Sequence, residues 1–363
     1  MSQYLRVGVI GVGFVGAAHV EAVRRTGLAD VVGVVAGSVA SGQASAKRLA
    51  VPRAYPSWRE LLADPEIDVV HNCTPNLLHA PVALAALESG KHLVCEKPLA
   101  LTAEEGQAIV DAAGTSTCET ALCHNYRHYA MIGRARELIR DGAIGEVHHV
   151  HGAYLQDWLC DPDAINWRLS PDTGGHSLTF ADIGTHLADL AAHLTGHRIE
   201  EVCAALGHHR KLVGEDHVGM LGRFDDGSLA TFVTSQVSPG SKNGLRVQID
   251  GSLGALSWNQ ERPESLDLGR YSGPSEHHSK AIADFGTEAR SLVHLPVGHP
   301  EGWNSTFANL FRSFYRRILG ITIPGDDHVA TLADGLHLMR LVEAVQISGR
   351  ERRWVRIVDG SPG

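Results

Sequence analysis

The sequence has 363 residues, 44% hydrophobic and 20% charged, enough for two domains with cores of their own. A formal net charge of −9 excludes a general nucleic-acid binder, because nothing supplies a sequence-independent attraction to phosphate. No apolar run approaches the roughly 20 residues of a membrane helix, so no membrane partner is expected.

The chain passes from its first residues directly into a strand pattern, so no signal peptide is expected. Cys73, Cys95, Cys118, Cys123, Cys160 and Cys203 form no C-x-x-C pair and no scaffold spacing. Reduced, structural thiols in a cytoplasmic protein are the expectation.

Residues 4–10 read as a buried strand that runs into Gly11-Val12-Gly13-Phe14-Val15-Gly16 and a helix from about 17 to 25. G-x-G-x-x-G between strand and helix is the setting of a dinucleotide site. Gly11 permits the tight turn, Gly13 lets backbone approach a pyrophosphate, and Gly16 brings the helix close to the sheet. The helix N-terminus offers N–H groups and a positive dipole end, with Phe14 and Val15 inside the turn.

A second strand, 31–35, ends in Ala36-Gly37-Ser38, where an NAD-selective domain often carries an acid for the ribose hydroxyls. Without a carboxylate a 2′-phosphate is not repelled, and no arginine follows to attract it. Ser38 suits either form. NAD is the expected cofactor, with NADP left open.

A helix near 42–49 follows, then a capped one at Ser57-Trp58-Arg59-Glu60. The strand 67–73 ends in Thr74-Pro75-Asn76, His79 opens the helix 79–89, and the strand 92–96 ends in Glu96-Lys97-Pro98. Glu-Lys-Pro at that point projects one amine from the carboxyl edge of a sheet, where open α/β folds bind ligands. Thr102 caps a helix over 103–113. The alternation predicts a parallel, doubly wound Rossmann-type sheet in residues 1–124, with Thr74, Pro75 and Asn76 at the same edge as Gly11 and Lys97.

From 125 onward the pattern changes. After Asn125-Tyr126-Arg127 and a helix over 130–141 come strands at 146–155, 201–207, 217–224, 228–237, 245–250 and 255–258. Asp225-Asp226-Gly227 marks a hairpin turn between two of them. Residues 125–363 are therefore expected to form an α+β domain with a large, mainly antiparallel open sheet. Few helices remain to cover it, so a homo-oligomer built by sheet-face packing is expected.

Between the first two of these strands lie Asn166-Trp167-Arg168, Gly174-Gly175 and the segment 181–194. In a helix, Asp182, His186, Asp189 and His193 share one face, with Ile183, Leu187, Leu190 and Leu194 on another. Three readings compete for the polar face: solvated surface, a metal site lacking an evident third ligand, or an acid–base pair opposite Lys97 across a nicotinamide. The cofactor implied by the first domain favours the last. The histidine pairs at 148–149, 208–209 and 277–278 show no convergent ligand spacing and read as surface, so no metal is expected.

The chain resembles the Gfo/Idh/MocA oxidoreductases through G-x-G-x-x-G at 11–16, Thr-Pro-Asn at 74–76, Glu-Lys-Pro at 96–98, Asn-Tyr-Arg at 125–127, Trp-Arg at 167–168 and Gly-Gly…Asp-x-x-x-His from 174 to 186. The resemblance implies Lys97, Asp182 and His186 as catalytic residues. It also implies Asn125, Trp167 and Arg168 near the nicotinamide or substrate. His79 and Glu96 join the expected cofactor set. Residues 154–158 and 299–304 are similar to a branch acting on pyranose sugars, of the levoglucosan and glycoside 3-dehydrogenase kind.

Oxidising a secondary alcohol removes a hydride from carbon and a proton from oxygen. The protein supplies orientation and a base. His186 suits the base, since an imidazole of ordinary pKa is neutral near pH 7. Asp182 would orient a hydroxyl, and Lys97 would stabilise negative charge on the reacting oxygen or relay its proton. Tyr126, Arg127, Gln156, Asp157 and Trp158 are available for a polyol, although for Arg127 a structural ion pair is an equal alternative. The leading expectation is NAD(P)-dependent oxidation of a pyranose or glycoside hydroxyl. A cyclitol dehydrogenase, a sugar–sugar oxidoreductase that recycles bound NAD, and a nucleotide-sensing regulator are the alternatives. Ser-His-Asp hydrolysis lacks its G-x-S-x-G elbow.

Overall fold

A computed structural model describes residues 4–210, 212–281 and 285–358. The chain divides into two compact units, one running to Asn125 and taking in Trp303–Leu336, the other Tyr126–Gly302 with the residues from His337 onward.

In the first unit six parallel strands, β1 (Leu5–Ile10), β2 (Ala29–Val35), β3 (Arg53–Ala54), β4 (Val69–Asn72), β5 (His92–Cys95) and β6 (Thr120–Leu122), lie in the order β3-β2-β1-β4-β5-β6. Helices α1 (Phe14–Thr26), α2 (Val39–Leu49), α3 (Trp58–Ala63), α4 (His79–Glu88) and α5 (Ala103–Thr115) connect them. Strand order reverses between β1 and β4, which opens the crevice where such sheets bind nucleotides. Ile10 pairs with Asn72, and Asn72 with Cys95. The glycine turn, Thr74 and Lys97 therefore leave the sheet at one edge. Ser57 and Thr102 cap α3 and α5 by accepting from the Glu60 and Glu105 N–H groups, as expected.

In the second unit α6 (Ala130–Arg140) precedes β7 (Val147–Leu155), α7 (Pro171–Gly174), α8 (Thr185–Thr195), β8 (Ile199–Gly207), β9 (His217–Phe224) and β10 (Leu229–Ser235). Then follow β11 (Gly244–Gly251), β12 (Gly254–Asn259), β13 (Ser265–Arg270), β14 (Glu276–Ser279), α9 (Thr287–Ser291) and, at the end of the chain, β15 (Val355–Arg356). The sheet runs β14-β13-β12-β11-β7-β10-β9-β8-β15. All its pairs are antiparallel except β7 with β10. The hairpin at Asp225-Asp226-Gly227 joins β9 to β10, and Gly227 has the φ of +90° that such a turn requires. The sequence reading lacks β13, β14 and β15; β14 and β15 are short edge strands, while β13 lies between β12 and β14 with Leu266 and Leu268 buried.

Burial alternates along β9 and β10, with Met220, Phe224 and Phe232 inward and Leu221, Leu229 and Val233 exposed. Helices α6 and α8 pack on the inner face. Among the described residues the other face is open.

Two helices of the last quarter, α10 (Trp303–Ile318) and α11 (Leu332–Glu351), are absent from the sequence reading. Phe307, Leu310, Phe311 and Phe314 form an i, i+3, i+4, i+7 stripe on α10, fully buried with Val7 and Val9 of β1 and Val20 and Val23 of α1. Each such side chain contributes roughly 1.5–3 kcal/mol by burial. That is why Trp303–Leu336 belongs to the nucleotide unit, where the sequence reading had assigned everything after 124 to the second domain. Among the described residues no helix is long and apolar enough to cross a membrane.

Candidate active site

At the edge of the first unit, Gly11 adopts a φ of +91°, and a Cβ there would collide with the Cys73 carbonyl oxygen. A Cβ on Gly16 would strike the Gly11 carbonyl, so only glycine lets α1 approach the sheet this closely. Gly13 is different: a Cβ there meets nothing within 4 Å. The α1 N-terminus has no side-chain cap and no acid in its first turn. An open position over uncapped N–H groups fits a pyrophosphate. Val15 is half-buried, and Phe14 is exposed and stacks on Trp303 with centroids 5.5 Å apart.

The remaining residues expected at this edge divide by role. Thr74 is buried with its hydroxyl donating to Asn72 Oδ1 at 2.7 Å, Pro75 follows it, and Asn76 is buried at the start of a short 3-10 turn. His79 does not present its ring to a ligand. One ring nitrogen lies 2.6 Å from the Pro98 carbonyl oxygen and the other 2.9 Å from that of Thr74, so it straps together the loops that carry Thr74 and Lys97. Ser38 caps α2, its hydroxyl accepting from the Ser41 N–H at 3.2 Å. Asn125 is buried and donates to Thr306 of α10 at 2.8 Å. Lys97 leaves the end of β5 half-buried.

Glu96 turns into the interior, a placement the sequence reading missed. Its Oε1 lies 3.0 Å from His19 Nε2, and its Oε2 accepts the Lys97 N–H at 3.3 Å. Burial pushes the Glu96 carboxyl upward. Hydrogen bonding and charge from His19, with help from Cys123 and Lys97, outweigh that and hold it at about 2. Behind it His19 Nδ1 is 3.0 Å from His71 Nδ1, and His71 Nε2 is 2.8 Å from the Tyr315 hydroxyl. Burial lowers the His71 pKa and raises that of Tyr315, so His71 is neutral and Tyr315 protonated. The contacts run on from the Glu96 carboxylate through His19 and His71 to the Tyr315 hydroxyl. This chain anchors the segment that ends in Lys97.

In the second unit Asp182 lies in a π-helical turn, Phe180–Gly184, immediately before α8. Its Oδ1 accepts from Arg168 Nε at 3.2 Å and its Oδ2 from Gln236 Nε2 at 2.8 Å. Gln236 also donates to Gln156 Oε1 at 3.3 Å, and Gln156 donates to Asn243 Oδ1 at 3.0 Å. Tyr154 donates to the same Asn243 oxygen at 2.7 Å, with its hydroxyl 2.7 Å from that of Tyr126. The Tyr126 ring meets the His186 imidazole edge-on, centroids 4.8 Å apart. One continuous polar chain therefore links Arg168 and Asp182 to Gln156 and Tyr126, and ends against His186. Gln236 and Asn243 carry no signal in the sequence, because only the pairing of strands brings them there.

The face shared by Asp182, His186, Asp189 and His193 is not solvated, since the last three are buried. Arg127 pairs with Asp189 through two bonds, Nε to Oδ2 at 2.9 Å and Nη2 to Oδ1 at 2.5 Å. Of the two readings of Arg127, the structure displays the ion pair with Asp189. The Arg168 guanidinium lies 4.4 Å over the half-buried Trp167 ring. Trp158 is half-buried at the start of a 3-10 turn.

Residues 5–123 match the family model described as oxidoreductase family, NAD-binding Rossmann fold, and residues 132–257 match the GFO/IDH/MocA C-terminal domain. Levoglucosan dehydrogenase of Pseudarthrobacter phenanthrenivorans is 29% identical, with 98% of each chain covered. The crystal structure of an oxidoreductase domain protein from Kribbella flavida superimposes with a TM-score of 0.90 at 32% identity, covering 98% of this chain and 100% of that one. A levoglucosan dehydrogenase in complex with NADH and levoglucosan gives a TM-score of 0.90 at 28% identity, with 98% and 100% covered.

Proposed function

The chain belongs to the Gfo/Idh/MocA family of oxidoreductases, with an NAD-binding Rossmann domain, and from that premise we propose that it oxidises a secondary hydroxyl of a pyranose sugar or glycoside to the ketone. The observation that carries this reading is the polar chain around Asp182. A carboxylate, three amides and two phenols in one hydrogen-bonded run match the several hydroxyls of a sugar ring. Likeness over nearly the whole length to levoglucosan dehydrogenase supports the same substrate class.

Gly11, Gly13 and Gly16 would hold the pyrophosphate against α1, and a bound nucleotide would supply the hydride acceptor. Lys97 Nζ donates to the reacting oxygen and stabilises its charge as the proton leaves. His186 accepts that proton. Asp182, fixed on both oxygens by Arg168 and Gln236, accepts from a substrate hydroxyl and sets its orientation. Trp158 and Trp167 offer apolar surface to a sugar ring. A hydroxyl at the 3-position is the proposed site of oxidation.

The test is absorbance in the NADH band with NAD or NADP against pyranoses, glycosides and inositols. A pyranose or glycoside is expected to be oxidised with free NAD. Lys97→Ala should abolish hydride transfer while NADH fluorescence still reports binding. Turnover retained in that variant refutes the role of Lys97, and inositols as the preferred substrates refute the pyranose assignment.

The open face of the second unit's sheet, with Leu221, Leu229 and Val233 exposed, is proposed to pack against another copy of the chain. Light scattering on Val233→Glu is expected to give a smaller species than the parent chain. An unchanged mass contradicts that assignment.

A further inference from the structure

Away from the residues given a catalytic role, His209, Asp216 and His217 bring three ligand atoms within 4.8 Å of one another. Each imidazole Nδ1 lies 3.4 Å from Asp216 Oδ1. That separation is long for a hydrogen bond to a carboxylate. It is, however, the edge of a tetrahedron whose metal–ligand bonds are near 2.1 Å, about 3.3–3.5 Å. By contrast His197 Nδ1 sits 2.6 Å from Asp225 Oδ1, the length of an ordinary ion-pair hydrogen bond.

Three further features mark a prepared site. The Asp216 side chain is only 1% exposed, with Oδ2 accepting the Arg210 N–H at 2.7 Å and Oδ1 left to the two imidazoles. A buried carboxylate needs such compensation. Gly207 makes room for the His217 ring, which a Cβ at that position would strike. The two histidines also line a cleft of about 490 Å³ shared with the exposed Cys160, so an ion has an entry path. Arg210 closes one side by donating to the Pro162 carbonyl at 2.9 Å, and to those of Leu159 and Asp161.

We propose that His209, Asp216 and His217 form a zinc site, with Nδ1, Oδ1 and Nδ1 as protein ligands and water in the fourth position facing the cleft. Two imidazoles and one carboxylate suit a borderline cation such as Zn²⁺ better than calcium or magnesium, which take all-oxygen sets. The ion would clamp the end of β8 to the start of β9. The same short segment supports the π-helical turn of Asp182. Glu215 accepts from the N–H groups of Leu178 and Phe180, and the Asp216 carbonyl accepts the Gln236 N–H at 3.0 Å. The ion would thus brace the loop that holds the substrate carboxylate in place. The existence of the site does not depend on the sugar assignment.

The test uses the full chain without a histidine tag, stripped by chelator and titrated with Co²⁺ as a zinc surrogate, reading the visible bands of four-coordinate cobalt. One equivalent per chain is expected, displaced by Zn²⁺, with a raised thermal midpoint. His209→Ala and His217→Ala should each weaken binding by at least about 100-fold, more than the loss of an outer partner costs. Gly207→Ala, which keeps every ligand but displaces the His217 ring, should weaken it too. His208→Ala and Cys160→Ser should leave it unchanged. Because residue 209 is exposed, its variant should keep the metal-free midpoint, separating lost ligation from lost folding. No stoichiometric uptake at about 100 µM free Co²⁺, or uptake indifferent to residues 209 and 217, overturns the proposal.

Discussion

Replacing Glu96 with glutamine tests the buried chain behind Lys97. In the native fold the carboxyl titrates at about 2, against an ordinary value of 4.5. A difference of some 2.5 units at about 1.36 kcal/mol each makes the ionised form worth roughly 3 kcal/mol near pH 7. The folded pKa is depressed, so this stability is fully present above the unfolded value and is lost as pH falls through the folded one. At pH 3 the same relation leaves only about 1.4 kcal/mol. Glutamine resembles the protonated acid at every pH. Urea unfolding of the parent chain and Glu96→Gln should therefore show a gap of roughly 3 kcal/mol at pH 7 that halves by pH 3. A gap that stays constant over that range would show that packing, not the carboxylate charge, sets the cost.

Two further substitutions separate cofactor from substrate. Gly13→Val should fold with an unchanged thermal midpoint, since the position is open, yet lose NADH binding by fluorescence titration; Gly16→Ala should instead destabilise the fold through its backbone collision. Gln236→Leu removes one donor from the Asp182 carboxylate and should lower kcat/KM for the sugar about 10- to 100-fold, the equivalent of a hydrogen bond to a charged group, at unchanged NADH affinity. Full activity in that variant would mean that Asp182 needs no fixing on that side.

Local pattern was enough wherever the chemistry of the chain is local. The glycine turn, the caps at Ser57 and Thr102, the alternation of strand and helix and the hairpin at 225–227 all follow from backbone freedom and periodicity within a few residues. The same holds for the placement of Thr74 and Lys97 at one edge, because parallel strands linked by helices must end together. Contacts between residues far apart in the chain were not legible. His19, His71, Glu96 and Tyr315 lie in four separate segments, and nothing in any of them announces that their side chains meet. Helix α10 joins the first unit because its stripe of phenylalanines buries more surface there, a choice that depends on a core completed nearly 200 residues earlier. The ion pair of Arg127 depends on Asp189, which the chain supplies from 62 residues away. The ring nitrogens of His209 and His217 converge on Asp216 only because a loop and a strand end fold together. Sequence alone thus determined the strand–helix alternation of the first domain, the longer strands of the second and the family they make, through short-range geometry. Tertiary structure decided which charges are buried together and what partners hold them, since desolvation and pairing are set by neighbours the chain supplies from a distance.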